Sequence, residues 1–356
     1  MISVLIDASL IDRHTTGIGN VTRSLVSGLQ QYQQQNPEQQ YTFLVPQNHH
    51  AHTDSHTHFQ TVRKWQKYFP SSLPSVDIWH STYQSFRYLR KTAHTKHIIT
   101  IHDLNFLYEK KPAKAKKYLR IMQQRINAAD ALVAISEFVA SDIRRHLDIK
   151  GKHLEVIYNA VDNLQQAKAV PPQFRSNKKP FFFTLGAIRK KKNFHVLLEM
   201  MLHFPDYQLY ICGNKDCDDY LRELDAQITQ LQLHNVLITG PISSEEKVWL
   251  YQHSEAFLFP SLFEGFGLPV LEAMQFGIPV FTSNMTSLPE IGGGYTFIWD
   301  KLDPDYLSQT LRKYLPVLQQ DHHKQEQMKA YATSFTQAKN IQAYVSLYQR
   351  LASPKA

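Results

Sequence analysis

The chain alternates short apolar runs with longer amphipathic stretches, and it does so twice. SVLIDAS (residues 3–9), IITIHDL (98–104), ALVAIS (131–136) and HLEVIYN (153–159) have the near-continuous apolar character of strands buried on both faces. A glycine turn and helical apolar spacing follow the first run, and a helix opening behind Pro112 separates the second from the third. Residues 163–180, NLQQAKAVPPQFRSNKKP, turn polar and proline-bearing, the composition of a linker. The pattern then restarts. PFFFTLGAI (180–188), YQLYICG (207–213), NVLITG (235–240), AFLFP (256–260) and PVFTS (279–283) read as strands, with FHVLLEMM (194–201) as a helix between the first two. Strands alternating with helices predict parallel sheets, here as two Rossmann-like α/β domains in tandem, over residues 1–165 and 166–339.

At 356 residues each half is large enough to bury a core of its own. No run of eighteen apolar residues occurs and the N-terminal MISVLIDASL reads as a strand with no basic leader, so a cytoplasmic location is expected. Cys212 and Cys217 are too few and too close for a disulfide framework or a zinc site. The net charge of +8 is one-sided: residues 1–170 hold 21 Lys+Arg against 13 Asp+Glu, and the rest holds 18 against 18. Its densest part is KKPAKAKKYLRIMQQR (110–125), with Lys110, Lys111, Lys114, Lys116, Lys117, Arg120 and Arg125 and no acid. With Tyr118, Leu119, Ile121 and Met122 it reads either as a solvated helix face or as a peripheral contact with an anionic membrane. No stacking-aromatic or base-reading motif accompanies the charge, so a nucleic-acid partner is not expected.

The richest chemistry lies in FPSLFEGFGLPVLEAMQFGIPV (259–280). Gly265 and Gly267 free the backbone to take positive φ, Pro269 suits a helix start, and a helix over residues 269–275 with Gly277 as its stop follows. Glu264 precedes that helix and Glu272 sits about one turn inside it. Carboxylates accept hydrogen bonds from paired hydroxyls, so one can hold a hexose and the other a ribose, with phosphate drawn to the helix start. The basic run Arg189, Lys190, Lys191 and Lys192 follows the strand that opens the second half and supplies cations for a leaving diphosphate. His102 and Asp103 end the strand IITIHDL, where open α/β sheets place functional side chains, although Asp103 equally suits a turn cap. Gly17 and Gly19 form a glycine loop opening a helix, suited to a phosphate or an acceptor, or to a plain turn. The Asp216–Asp218 triplet and the histidine-rich residues 49–58 have metal-ligand composition without a framework to converge it, so no metal site is expected.

In order and composition, EGFGLPVLEA, FGIPV and SLPE (287–290) resemble the Glu-x7-Glu signature of retaining glycosyltransferases with the GT-B fold, in glycosyltransferase family 4, also called group 1. The resemblance implies two Rossmann-like domains facing across a cleft, with the last helix (340–356) crossing back to the first. It implies no bound metal and no cofactor beyond a nucleoside diphosphate sugar as donor. By position, it implies that Glu264 and His102 contact the donor sugar, Glu272 the ribose, and Lys192 the diphosphate beside the Gly17/Gly19 loop. Gly265, Phe266, Gly267 and Leu268 would line the donor, and Gly240, Pro241 and Ile242 would meet the nucleobase through backbone. Ala187 stands where many members have arginine, with Arg189 as its replacement; Ala160 replaces a glycine in NAVD (159–162), read with Ser136 and Glu137 as hinge and cap. The implied activity is hexose transfer from a GDP-mannose or UDP-glucose type donor to a glycan or lipid-linked acceptor, in cell-envelope polysaccharide or lipopolysaccharide synthesis at the inner membrane face. A glycoside hydrolase shares the two glutamates but has no use for the lysines. A nucleotide-sugar 2-epimerase, a sugar phosphorylase or a non-catalytic nucleotide-sugar-binding protein shares the fold.

Overall fold

The computed structural model describes residues 2–13, 16–49, 58–175 and 178–353, and divides into two units. Residues 50–57 of the histidine-rich segment and 354–356 of the expected last helix lie outside the described residues. The first unit comprises residues 1–160 with 335–356, the second 161–334.

Seven strands build the first sheet: β1 (Ser3–Asp7), β2 (Gln40–Pro46), β3 (His58–Val62), β4 (Ile78–Ser81), β5 (Lys96–Ile101), β6 (Ala131–Ala134) and β7 (His153–Val156). All pairs are parallel, in the order β3-β2-β1-β4-β5-β6-β7. The chain thus winds outward from β1 in one direction and then, from β4, in the other. That reversal leaves a crevice beyond the carboxyl ends of β1 and β4.

The helix Gln337–Ala352 packs on this sheet, burying Ile341, Tyr344, Val345, Leu347 and Tyr348 among Val4, Ile6, Leu25, Leu29 and Ile78. Gly28 makes the approach feasible, since a Cβ there would lie 2.5 Å from Ile341 Cγ1. A polar pin crosses the same contact: His80 bonds the Tyr348 hydroxyl at 2.7 Å and Thr100 Oγ1 at 2.8 Å, and Thr100 Oγ1 lies 3.1 Å from the Tyr344 hydroxyl. Burial drives His80 down to about 3, so its ring is neutral, one nitrogen donating and the other accepting.

The second unit repeats the design with β8 (Phe181–Leu185), β9 (Gln208–Cys212), β10 (Val236–Gly240), β11 (Ala256–Phe259), β12 (Val280–Ser283) and β13 (Phe297–Trp299). Its order, β10-β9-β8-β11-β12-β13, places the reversal between β8 and β11. Phe182, Leu209, Phe281 and Trp299 fill its core.

By packing, the units divide at 160/161 and 334/335, within five residues of the expected 165/166 and 339/340. The side chain and carbonyl of Gln275 bond the Leu164 amide, the Gln165 side chain and the Asp162 carbonyl at 2.8 to 2.9 Å, fixing the start of the expected linker to the second unit. The basic run loses one member. Lys110, Lys111, Lys114, Lys116, Lys117 and Arg120 are exposed on or just before the helix Pro112–Ala128. Arg125 instead turns inward, donating to the Gln84 carbonyl at 2.6 Å and standing over the Phe86 ring. Among the described residues no helix is long and apolar enough to cross a membrane.

Candidate functional site

In the second unit the loops leaving β8 and β11 meet at the reversal. Gly186 follows β8, and a Cβ there would come within 2.9 Å of Lys192 Cε, so glycine allows the lysine stem to lie across the strand end. Gly213 does the same for backbone: its Cβ would fall 1.9 Å from the Gly186 carbonyl oxygen. The Lys191 carbonyl accepts the Leu262 amide at 2.7 Å, tying the basic turn to the loop after β11. Lys192 is thereby buried, with its ammonium over the Phe259 ring and 2.5 Å from Glu264 Oε1. Ser261 Oγ donates to the same oxygen at 2.6 Å, and the Glu264 amide donates to Thr286 Oγ1 at 3.0 Å. Among the described residues Glu264 Oε2 has no partner.

Burial pushes the Glu264 carboxyl up, but the charges of Lys192 and Lys191 and the bonds from Lys192 and Ser261 outweigh it and hold it below its ordinary 4.5. A carboxyl depressed by folding stabilises the native state fully above its unfolded value and loses that contribution as pH falls through the lower folded value. The stability difference between the chain and Glu264→Gln is expected to be constant from pH 7 to about 4.5 and to shrink below it. Denaturant melts across that range read it; a difference indifferent to acid would mean that the carboxylate charge contributes nothing.

Of the two candidate glycines, Gly267 is the one shown in the left-handed region, with φ of 118°, capping the helix Leu268–Met274, and Gly277 ends that turn with φ of 73°. Gly265 and Leu268 are half-buried, and buried Phe266 gives its carbonyl to Ser287 Oγ at 2.7 Å. Glu272, inside the helix, has both oxygens engaged: Lys247 Nζ reaches Oε1 at 2.8 Å and the Tyr251 hydroxyl donates to Oε2 at 3.0 Å. Gly240, at φ of 84°, ends β10 and accepts the Gly213 amide; Ile242 follows, half-buried.

Arg189 is not brought to this cluster. Its side chain is about half exposed and pairs with Asp216 at 3.0 Å, while Lys190 pairs with Glu223 at 2.8 Å. The acidic triplet is likewise occupied, by that arginine and by the start of the helix Asp218–Gln230. Among the described residues no group of three or more His, Cys, Asp or Glu could hold a metal ion.

In the first unit His102 and Asp103 lie just past β5. His102 is buried, its amide donating to Gln84 Oε1 at 3.0 Å and its Nε2 standing 2.8 Å from the Thr82 carbonyl. A carbonyl only accepts, so Nε2 carries the proton, and burial lowers the ring to about 4 despite that bond, leaving Nδ1 an acceptor. Asp103 caps a turn through the Asn105 amide. Gly17 opens the helix Gly17–Gln35. The Gly19 amide is spent on its cap, Thr16 Oγ1, and a Cβ on Gly19 would sit 2.0 Å from the Arg13 carbonyl oxygen, so this glycine serves close backbone approach. Ser136 caps the helix Glu137–His146. Sequence reasoning missed Ser261, Lys247, Tyr251 and Thr286. Of these, Lys247 and Tyr251 carried a signal, standing four apart on one helix face.

Sucrose-phosphate synthase from Thermosynechococcus elongatus matches 99% of both chains with a TM-score of 0.78 at 16% identity. Anabaena HepE, in complex with UDP and glucose, matches 98% of this chain and 100% of its own with a TM-score of 0.71, also at 16% identity. These likenesses, with two parallel-sheet units of the same winding, define a GT-B fold. Residues 17–163 match the model for Glycosyltransferase Family 4, and residues 165–335 the model for Glycosyl transferases group 1. The chain belongs to the group 1, family 4 glycosyltransferases. Over 226 residues it is 28% identical to the O-antigen chain mannosyltransferase B of Escherichia coli, a match spanning 59% of each chain.

Proposed function

We propose that the chain transfers a hexose, with retention of anomeric configuration and without a bound metal, from a nucleoside diphosphate sugar to a hydroxyl of a glycan or lipid-linked acceptor. One observation carries this reading: Lys192 and Glu264 meet at the winding reversal of the second sheet, with Oε2 of the glutamate unengaged. Open sheets bind ligands there. The ammonium stabilises charge developing on the leaving diphosphate, and Oε2 accepts hydrogen bonds from donor sugar hydroxyls. Lys247 and Tyr251 hold Glu272 to receive the ribose hydroxyls. No side chain in the cluster is placed as a covalent nucleophile. The anomeric carbon's bond to the diphosphate oxygen breaks as its bond to the acceptor oxygen forms on the same face, and the acceptor's proton passes to the departing phosphate. The name of the Escherichia coli relative favours mannose as the transferred sugar, as from GDP-mannose, and an O-antigen chain as acceptor, and the Anabaena complex with UDP and glucose keeps a UDP-glucose type donor in view.

Nucleotide binding to the folded state raises the melting temperature. GDP or UDP is expected to do so, and the matching labelled nucleotide sugar to label a lipid-linked glycan acceptor. The absence of both effects over a panel of GDP, UDP and ADP donors would sink the proposal. The exposed Lys110, Lys111, Lys114, Lys116, Lys117 and Arg120 are proposed to meet an anionic membrane. Sedimentation with phosphatidylglycerol vesicles, lost at high salt and not seen with phosphatidylcholine, is the expected outcome; equal binding to both would refute it.

A further inference from the structure

The winding reversal of the first sheet opens onto a cavity of about 1120 Å³, large enough for two or three sugar rings. Residues at or just past the ends of β1, β2, β3 and β4 line it, Asp7 and Thr82 among them. Its charges fall into two groups, exposed cations and one buried carboxyl. Arg13, Arg63, Lys64 and Arg87 line it, and among the described residues none of the four pairs with a carboxylate. At the strand end lies Asp7, only 4% exposed, whose hydrogen bonds come from Ser9 and which no cation neutralises. Burial raises its carboxyl to about 6. Trp65, 46% exposed, adds a flat apolar face to the same lining.

Each part answers a different portion of one ligand. Unpaired guanidinium groups and an ammonium bind a phosphate or carboxylate, the guanidinium by two parallel N–H bonds. A buried carboxyl at the strand ends gains from sugar hydroxyls the hydrogen bonds that the protein does not supply. An indole face covers the apolar side of a sugar ring. Gly19 shapes this site indirectly, because its missing Cβ admits the carbonyl of Arg13, and Arg23 fixes the same segment by donating to the Ile11 carbonyl at 2.6 Å.

We infer that this cavity is an acceptor subsite for a glycan bearing an anionic group, with Arg63, Lys64 and Arg87 on the anion, Trp65 on the ring and Asp7 on a hydroxyl. The inference rests on the proposed transfer reaction for the word acceptor, and on the cavity alone for the ligand class. The anion has two sources, the diphosphate of a lipid carrier or the carboxylate of an acidic sugar.

The Trp65 indole signal, assigned by its absence in Trp65→Phe, reports on this cavity and not on the donor half. Titrating the full 15N-tryptophan-labelled chain with glucose 1-phosphate, methyl glucuronide and methyl glucoside is expected to move that signal with one or both anionic probes. The neutral one should bind at least tenfold more weakly. Preference for the phosphate assigns the carrier diphosphate, preference for the glucuronide an acidic sugar. The triple variant Arg63→Ala/Lys64→Ala/Arg87→Ala is expected to weaken anionic probes tenfold or more while nucleotide-induced melting shifts persist; should it not fold, the same weakening is expected of the unaltered chain on raising NaCl from 50 to 500 mM, about a Debye length of 14 Å against 4 Å. Equal response to methyl glucoside, no response to any probe, or insensitivity to both the variant and salt would overturn the inference. If nucleotides shift the melting temperature and no probe moves Trp65, the subsite falls and the transfer function stands. Probe binding with no nucleotide effect separates the two the other way.

Discussion

Replacing Lys192 by methionine is expected to lower stability by about 3–5 kcal/mol, the range for stripping one partner from a buried ion pair, and to slow transfer at least about a hundredfold. Both effects follow from one contact. Lys192, Lys191 and the Ser261 bond hold the Glu264 carboxyl down against its burial, and with the ammonium gone its charge loses its nearest partner behind a side chain that is 15% exposed. Under the proposed transfer, the reaction also loses the cation assigned to the departing diphosphate. A double variant, Lys192→Met with Glu264→Leu, separates the two roles. Apolar residues of similar volume often replace a buried pair at little cost, so stability should largely return while transfer stays slow. Urea melts and a transfer assay with labelled donor measure both. A Lys192→Met enzyme with near-normal turnover would remove the pair from catalysis, and a double variant as unstable as the single would show that packing, not charge, sets the cost.

Ending the chain at Ser334 is expected to unfold the first unit and spare the second. The lost helix buries Ile341, Tyr344, Val345, Leu347 and Tyr348. At about 1.5–3 kcal/mol for each fully buried side chain the loss is on the order of 10 kcal/mol, comparable to the whole stability of a typical domain. His80 and Thr100 would also lose their tyrosine partners inside an apolar sheet face, at roughly 1–3 kcal/mol for each unsatisfied group. Hydrogen exchange on the shortened chain should show protection vanish from β1 to β7 and persist from β8 to β13. Undiminished protection in β1, β4 and β5 would mean that the sheet stands without its last helix.

The doubled α/β pattern was readable because strands buried on both faces are nearly all apolar, as in SVLID and FFFTL. β4 was not readable for the opposite reason. Two of its four residues, His80 and Ser81, are polar, buried and satisfied by Tyr348, Thr100 and His97 at long range, which no local window contains. β13 is three residues long, and β3 is an edge strand whose outer residues are polar. β2, QYTFLVP, carries an apolar pattern of its own, outside the runs that the alternation marks. Glu264, Glu272 and Lys192 stood out by residue type beside glycine turns, and the structure joins the first and third. Arg189 stood out equally, yet its direction depended on Asp216, 27 residues away, which a basic run cannot announce. Family membership is shown by the matches over both halves; the roles of these side chains are proposed from the resemblance together with the geometry.

The first unit is closed by residues made almost two hundred positions after its last strand. At roughly 5–20 residues per second on the ribosome, about 10–40 s separate the emergence of β7 from that of the closing helix. Through that interval the sheet face bearing Val4, Ile6 and Ile78 is covered by the helix Gly17–Gln35 alone, while the second unit gains every strand it needs. The half that is translated second is therefore the half able to mature first, and the nascent first half is where a cell short of chaperones would lose this protein.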